Sequence, residues 1–451
     1  MSRMAMMRLF ASVVLAALGA GMAAAPGYGQ ESAEKIATDV ANDLANRRLA
    51  AVVARFTPDL SKRLPLPVLD KIWSSVLQQG GAVRELAPAR VVQASSAGAM
   101  VIVPITLERL TLDVKVNVAN GMVAALFLAP SEAPAQTWNA PAYVAPAKFT
   151  NVAVTVGAAP TALGGTLSLP KTADKVPAVV LIHGSGATDR DEAVGGIRPF
   201  RDIAEGLASR GVAALRYDKR TKAYPPDQFP QLYPRSFTVR EETMDDALAA
   251  VALLAQRPEI DARRIVIVGH SLGATLAPRI AEGRNDIAAV VILAGATRPL
   301  PLILVEQTEY LLALNGPADD VARQRIEAMK REAARAMAAK PGDVGPPILG
   351  IPPGYWADLN AYDPAATAAR LSLPLLILQG GRDYQVTAEN LKRFKTALAG
   401  HPNVTIREFP SLNHLFVSGE GISRPEEYQR PGHIDAAVIE TLAGFVSSLP
   451  K

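Results

Sequence analysis

The sequence predicts an α/β fold on a mostly parallel sheet, preceded by a small α+β domain, and three observations predict it. From residue 149 onward, short apolar runs alternate with amphipathic stretches of helical period, the pattern of a parallel sheet covered on both faces. Across residues 31 to 130 the order differs: helical periodicity comes first and strand-like runs follow. Between the two lies SEAPAQTWNAPAYVAPAK, residues 131–148, rich in Pro and Ala and weak in period, which reads as a linker.

Residues 1–30, MSRMAMMRLFASVVLAALGAGMAAAPGYGQ, have the parts of a secretory signal: Arg3 and Arg8, an apolar run from Leu9, then small residues. They predict an exported protein, periplasmic or secreted, with an uncleaved membrane anchor as the alternative. No later segment reaches transmembrane length without charges. EKIATDVANDLANRRLAAVVARF places Ile36, Val40, Leu44 and Leu49 at roughly helical spacing, and LPVLDKIWSSVLQQGG repeats the pattern. Three strand-like runs follow: ARVVQASS, MVIVPITLERLTLDVKVNVAN and GMVAALFLAP. The middle one is long enough for two strands, and Asn120-Gly121 is a turn signal before the last.

In the second unit, 149–451, FTNVAVTV and GGTLSLP open as an antiparallel pair. VPAVVLIHG is a buried strand. RPFRDIAEGLASRG is a helix with Phe200, Ile203 and Leu207 on one face, closed by Gly211. GVAALRYD is the next strand, and TVREETMDDALAAVALLAQ a helix carrying Leu248, Val251 and Leu254. RRIVIVG, AAVVILAG, LPLLILQGG and VTIREF supply four more strands. Residues 298 to about 365 interrupt this alternation with a long helical stretch and a Pro/Gly-rich loop, PGDVGPPILGIPPGYW. The insertion is about twice the length a crossover needs, so it reads as a helical cap at one end of the sheet.

Composition excludes several functions. With 47 basic and 43 acidic residues, a net charge of +4, and no basic cluster interleaved with aromatics, nothing points to nucleic acid. The absence of cysteine removes disulfides, a thiolate nucleophile and a cysteine-zinc site. No paired-histidine metal motif and no phosphate-binding glycine loop occurs, so no cofactor is implied; GSGATD fails as a dinucleotide loop because Asp189 stands at its third glycine position. The oligomeric state is not legible.

The chemistry centres on IVIVGHSLGATLAPRI. A nucleophilic serine needs a sharp strand-to-helix turn with small residues on both sides, and here a strand, Gly269, Ser271, Gly273 and a helix follow in order. Ser271 needs a base. Of the five histidines, His183 and His270 lie in tight turns where structural rings are expected. His401 precedes Pro402 in a polar loop, and His433 opens the last helix on a solvated face. His414, a few residues after the final strand, is the expected base. Asp383, in a Gly-Gly turn after a buried strand, fits the chain order Ser, acid, His as the residue orienting His414. Its rivals are Asp363 and Asp218, and Asp218 has Arg216, Lys219 and Arg220 nearby to pair with. The oxyanion N–H groups are expected from Leu272, after the nucleophile, and from Ser185 in HGSGATDRDE, with Gly186 the alternative. Asp189, Arg190 and Asp191 read as a solvated charged loop.

HGSGATDRDE, RYDKR, GHSLGATLAPRIA, LQGGRDYQV and NHLF, in this order, resemble the α/β-hydrolase superfamily. More narrowly they resemble bacterial two-domain EstD-type esterases, whose hydrolase domain follows an N-terminal domain of unknown function. The resemblance covers most of 31–451. It implies an α/β-hydrolase fold, nucleophile, acid and base at Ser271, Asp383 and His414, and a small-molecule carboxylic ester of short to medium acyl length as substrate. Ala274 stands where many relatives carry another glycine. A serine peptidase or amidase with the same triad is the alternative. The cap helix shows Arg323, Arg325, Lys330 and Arg331 rather than an acidic cluster for a peptide terminus, and these basics read as a solvated face. Tyr355 and Trp356, in the cap loop, are expected to shape the pocket. Residues 31–130 show no catalytic constellation and read as a binding or accessory domain.

Overall fold

A computed structural model describes residues 32–450 except 96–97, 109, 132–137, 227, 315 and 318. The expected secretory signal lies outside the described residues. The chain divides into two compact units, residues 1–135 and 136–451.

In the first unit, α1 (Ala33–Ala45) is capped by the Ser32 hydroxyl and buries Ile36, Val40 and Leu44. Leu49 does not continue it: the chain turns at Arg47, with φ 57°, and Leu49 opens α2 (Leu49–Ala54). Helices α3 (Pro58–Arg63) and α4 (Leu66–Gly80) follow. The strands are β1 (Val83–Leu86), β2 (Arg90–Ser95), β3 (Gly98–Leu107), β4 (Thr111–Ala119) and β5 (Met122–Pro130). They form an antiparallel sheet in the order β1-β3-β4-β5, with β2 also on β3. The long middle run is indeed two strands. At the β4–β5 hairpin, Asn120 (φ 51°) and Gly121 (φ 74°) take the left-handed conformation that a two-residue turn of the right twist requires. Strand β1 was not anticipated; four half-exposed residues carry too little alternation to be read. Alternate residues Val101, Val103 and Ile105 of β3 and Leu112, Val114 and Val116 of β4 meet Trp73 and the α1 stripe in one core.

The second unit opens with the antiparallel pair β6 (Phe149–Val156) and β7 (Leu163–Pro170). Then come β8 (Val176–Ile182), α5 (Pro199–Ala208), β9 (Ala213–Tyr217), α6 (Asp245–Ala255), β10 (Ile260–His270), α7 (Leu272–Ala281) and β11 (Ala289–Leu293). After an inserted segment, β12 (Leu375–Gly380), α12 (Ala388–Ala397), β13 (Val404–Phe409) and α13 (Ala436–Ser448) complete the unit. The sheet order is β13-β12-β11-β10-β8-β9-β7-β6, parallel from β13 to β9 and antiparallel beyond.

Both faces of β8, β10, β11 and β12 are apolar, which is why they read as continuous runs, whereas the edge strand β13 alternates. Ala178, Val180, Ile182, Ile265 and Ile267 face α6, α7 and α12, while Val179, Leu181, Val266 and Val268 face α5 and α13. Each buried Val, Leu or Ile contributes roughly 1.5–3 kcal/mol, enough to hold the sheet rigid under a site. Strand β9 lies on one side of β8 and β10 on the other, so the chain reverses direction across the sheet there. The crevice at such a reversal opens at the strand C-terminal ends, where the loop after β8 and the turn after β10 emerge.

One segment departs from expectation. Residues 138–148, assigned to the linker, are pinned to the second unit: Trp138 Nε1 donates to Asp202 at 2.7 Å, Tyr143 Oη to the Ile434 carbonyl at 2.9 Å, and Ala145 N to Ser209 Oγ at 2.8 Å. Their anchors are irregularly spaced, so no period announces them. The insertion, meanwhile, folds as α8 (Leu300–Ala313), α9 (Asp320–Ala338), α10 (Pro353–Asn360) and α11 (Pro364–Arg370). Leu304, Ala336, Ile348 and Trp356 form a small core of its own. Helix α9 buries only Ala333 and Ala336, and its Arg323 and Lys330 pair with acidic neighbours in solvent, as a solvated face requires. No helix among the described residues is long and apolar enough to cross a membrane.

Candidate active site

Ser271 is the single residue between the end of β10 and the start of α7. It has φ 52° and ψ −114°, a conformation that L-residues rarely adopt and that persists only where the surroundings impose it. The surroundings are visible. A Cβ on Gly269 would lie 2.3 Å from the Gly273 carbonyl oxygen, and one on Gly273 would lie 2.2 Å from that of Ile182. Glycine at both positions lets helix and strand close on each other, and Ser271 N is tied to the Leu293 carbonyl at 2.9 Å. The Leu272 N–H belongs to the first helical residue and has no partner within the helix.

The expected base and acid come together from the loops after β13 and β12. His414 Nδ1 lies 2.7 Å from Asp383 Oδ2, both side chains buried. Asp383 Oδ1 also accepts the N–H groups of Gln385 (2.7 Å) and Val386 (2.9 Å), and Oδ2 accepts Gln379 Nε2 at 3.2 Å. A carboxylate so occupied holds one orientation, and it takes the His414 ring with it. Nε2 is left as the basic nitrogen of that ring. Neither His414 Nε2 nor Ser271 Oγ makes a hydrogen bond among the described residues. Asn413, fully buried, braces the loop by accepting from Leu415 N and Val417 N and donating to Glu427. The rival acids are engaged elsewhere: Asp363 caps α11, and Asp218 pairs with Arg190 rather than with the basic residues beside it.

The third part is the loop after β8. Ser185 and Gly186 are exposed, and Gly184 is pressed so close that a Cβ on it would sit 3.1 Å from Ser271 Cβ. The Gly184 N–H donates to Glu192 Oε1 at 2.6 Å, and its carbonyl accepts from Lys219 Nζ at 2.8 Å. The Asp189–Asp191 loop is not solvated as expected. Arg190 forks onto Asp218, Asp191 meets Arg216, and Asp189 Oδ1 accepts Asp191 N and Ala193 N. Buried Arg216 needs an acid, and the loop supplies it.

The other histidines hold the frame. His183 Nε2 donates to the Asp189 carbonyl at 3.1 Å, and burial pushes its pKa down to about 4, so the ring is neutral. His270 Nε2 donates to the His414 carbonyl at 3.0 Å, its ring lies 4.8 Å from the His414 ring, and its Nδ1 is 2.9 Å from Glu192 Oε2. That last pair is at ion-pair distance without good alignment for a hydrogen bond. Burial, the largest single influence, lowers the His270 pKa, but Glu192, the His414 carbonyl and Asp383 together outweigh it and the net shift is upward; burial likewise raises Glu192, and His270, His183 and the Gly184 N–H together bring it below the ordinary value. His401 Nε2 bonds the Leu371 carbonyl. His433, part-exposed, lies three residues before α13 with Nδ1 3.1 Å from the fully buried Asp202 carboxylate.

Trp356 and Tyr355 lie in helix α10, not in a loop, and both are buried. Trp356 is wholly buried with Nε1 on the Ile348 carbonyl, and Tyr355 is buried with its hydroxyl on Glu242. Glu192, Lys219, Gln379 and Asn413 escaped sequence reading because nothing local distinguishes a buried polar side chain from a surface one. Glu192 closes the quoted HGSGATDRDE run, and its position in that run was the only available signal.

Residues 179–428 match the family model described as the alpha/beta hydrolase family. Esterase EstD of Thermotoga maritima is 38% identical over 390 residues, 85% of this chain and 88% of its own. Among solved structures, Est1E from Butyrivibrio proteoclasticus aligns with a TM-score of 0.42 at 20% identity, over 65% of this chain and 97% of its own. Pyrococcus horikoshii acylaminoacyl peptidase aligns with a TM-score of 0.45 at 15% identity, over 82% of this chain and 57% of its own.

Proposed function

Because the chain belongs to the α/β-hydrolase family, we propose that it hydrolyses carboxylic esters through Ser271, His414 and Asp383 by way of an acyl-enzyme. The observation that carries this reading is the buried His414–Asp383 pair at 2.7 Å, which frees Nε2 of that histidine for the serine at the strained turn. His414 Nε2 takes the proton of Ser271 Oγ as it attacks the ester carbonyl. Negative charge develops on the carbonyl oxygen, and the N–H groups of Leu272 and Ser185 receive it. Asp383 holds the ring and stabilises the imidazolium. The imidazolium protonates the departing alcohol, and water, activated by the same nitrogen, releases the acid.

Short to medium acyl chains are the proposed substrates, and export by the N-terminal segment is part of the same reading. Hydrolysis of nitrophenyl acetate, butyrate and octanoate by wild type and Ser271→Ala tests both chemistry and chain length. The variant should lose roughly 10⁴-fold or more in kcat, with the wild-type rate highest on the shorter esters. Equal activity in the two proteins would overturn the assignment of the serine. Aminoacyl anilides run in parallel should be poor substrates; preference for them would favour a peptidase.

A further inference from the structure

Lys219 is among the largest fully buried side chains in the protein, and the catalytic scheme above does not use it. Its ammonium has two partners: the Gly184 carbonyl at 2.8 Å and Glu242 Oε1 at 3.3 Å. Glu242 is buried as well, and its other oxygen accepts the hydroxyl of Tyr355 from helix α10 of the insertion. A buried charge is expensive, and a well-packed apolar pair would serve stability at least as well. The place where this charge is directed therefore matters.

The Gly184–Ser185 peptide is planar and trans, so its carbonyl and its N–H point to opposite sides. With the carbonyl held by Lys219, the Ser185 N–H is aimed away from Lys219. On its other side, the Gly184 N–H is held by Glu192. Buried groups of opposite sign thus grip the peptides flanking Gly184, while the residue itself is packed against Ser271. Two rotations about Gly184 would otherwise be nearly free, because glycine restrains neither. A hydrogen bond from an ammonium also polarises the amide and strengthens its N–H as a donor.

We propose that Lys219 is the positioning residue of the oxyanion hole, and that the chain Tyr355–Glu242–Lys219 couples the seating of helix α10 to the direction of the Ser185 N–H. The inference rests on the assignment of Ser271 and Ser185 made above. It predicts a defect confined to states that carry an oxyanion, because Lys219 touches neither the ester nor the triad.

The test compares full-length wild type, Ser271→Ala, Tyr355→Phe and the double variant Lys219→Met/Glu242→Gln, which leaves no unpaired buried carboxylate. Nitrophenyl butyrate supplies kcat and KM. A trifluoromethyl ketone analogue, which adds to the serine and leaves an oxyanion, supplies Ki. The double variant should lose about 10- to 100-fold in kcat and the same factor in Ki, with KM within about twofold. Tyr355→Phe should show the same pattern at about three- to tenfold. A merely structural lysine would lower the melting temperature and leave kcat and Ki unmoved, which overturns the proposal. If the double variant does not fold, wild-type kcat and Ki in Tyr355→Phe overturn it instead; if it folds with the expected defect while Tyr355→Phe is unchanged, the link to α10 falls. An active Ser271→Ala would mark failure of the functional assignment rather than of this inference.

Discussion

Ser271 carries a backbone conformation that a side chain resists and glycine does not, and strain of this kind costs about 1–3 kcal/mol. Ser271→Gly should therefore be inactive yet more stable than wild type by about 1–2 kcal/mol in urea titration, a gain that Ser271→Ala does not share. Equal stability of the glycine and alanine variants would show that the turn is not strained. His183 makes a second prediction with a definite sign. Its folded pKa is about 4 against 6.5 for the free side chain, so above pH 6.5 both states are neutral and the residue adds no pH dependence. Between pH 6.5 and 4 the unfolded chain takes up a proton that the folded protein refuses, and stability falls as pH falls. Over that window wild type should lose about 3 kcal/mol more than His183→Gln. Parallel curves for the two proteins would mean the ring is not buried neutral. The Glu192–His270 pair works differently: raised His270 stabilises fully below pH 6.5 and is lost as pH rises through its folded pKa, while lowered Glu192 stabilises above pH 4.5 and is lost on acidification.

Individual elements differ in how much of their role the sequence discloses, and the inserted helices show why. Trp356 looked like a pocket residue because a Pro/Gly-rich run surrounds it, yet it is the centre of the insertion's own small core. Trp356→Ala should cost about 3–5 kcal/mol of local stability, exposing amides of α9 and α10 to hydrogen exchange while β8 and β10 stay protected. Uniform loss of protection across the sheet would mean the insertion is not a separate cooperative element. The central parallel strands, by contrast, were fully legible, since burial on both faces writes an unbroken apolar run. So was the strand-to-helix turn at Ser271, where steric need dictates glycine at fixed offsets, and so was the pairing of His414 with Asp383. Illegible were the features made by distant partners. Strand β1 is too short for its alternation to register, and the partner of part-exposed His433, Asp202, lies 231 residues away in sequence. The DRDE run looks solvated until Arg216 and Asp218 arrive from β9 and its end. A charge reads the same in sequence whether water or a buried partner awaits it.

At the scale of the whole molecule, two cores of different make lie in one chain, and the boundary between them is the last point where sequence and structure part. Composition placed the start of the second unit at 149, but its packing begins by Trp138. The Trp138 ring lies under Arg201 at 3.9 Å and its indole N–H serves Asp202, whose other donors are Ile434 N and His433. Asp202 is wholly buried, so each donor removed leaves part of a carboxylate without hydrogen bonds, at about 1.5–3 kcal/mol per bond to a charged group. Cutting at 149 also removes Tyr143 and Val144 from their contacts with Ile434 and Ala208. A fragment of residues 136–451 should therefore fold and keep the esterase activity of the full chain, because every proposed catalytic and positioning residue lies within it. A fragment of 149–451 should melt roughly 5–10 °C lower in calorimetry and, where folded, turn over esters at a similar rate. Identical melting of the two fragments would return residues 138–148 to the status of a linker. Loss of activity in the longer fragment would give the first unit a part in catalysis that its own residues do not display.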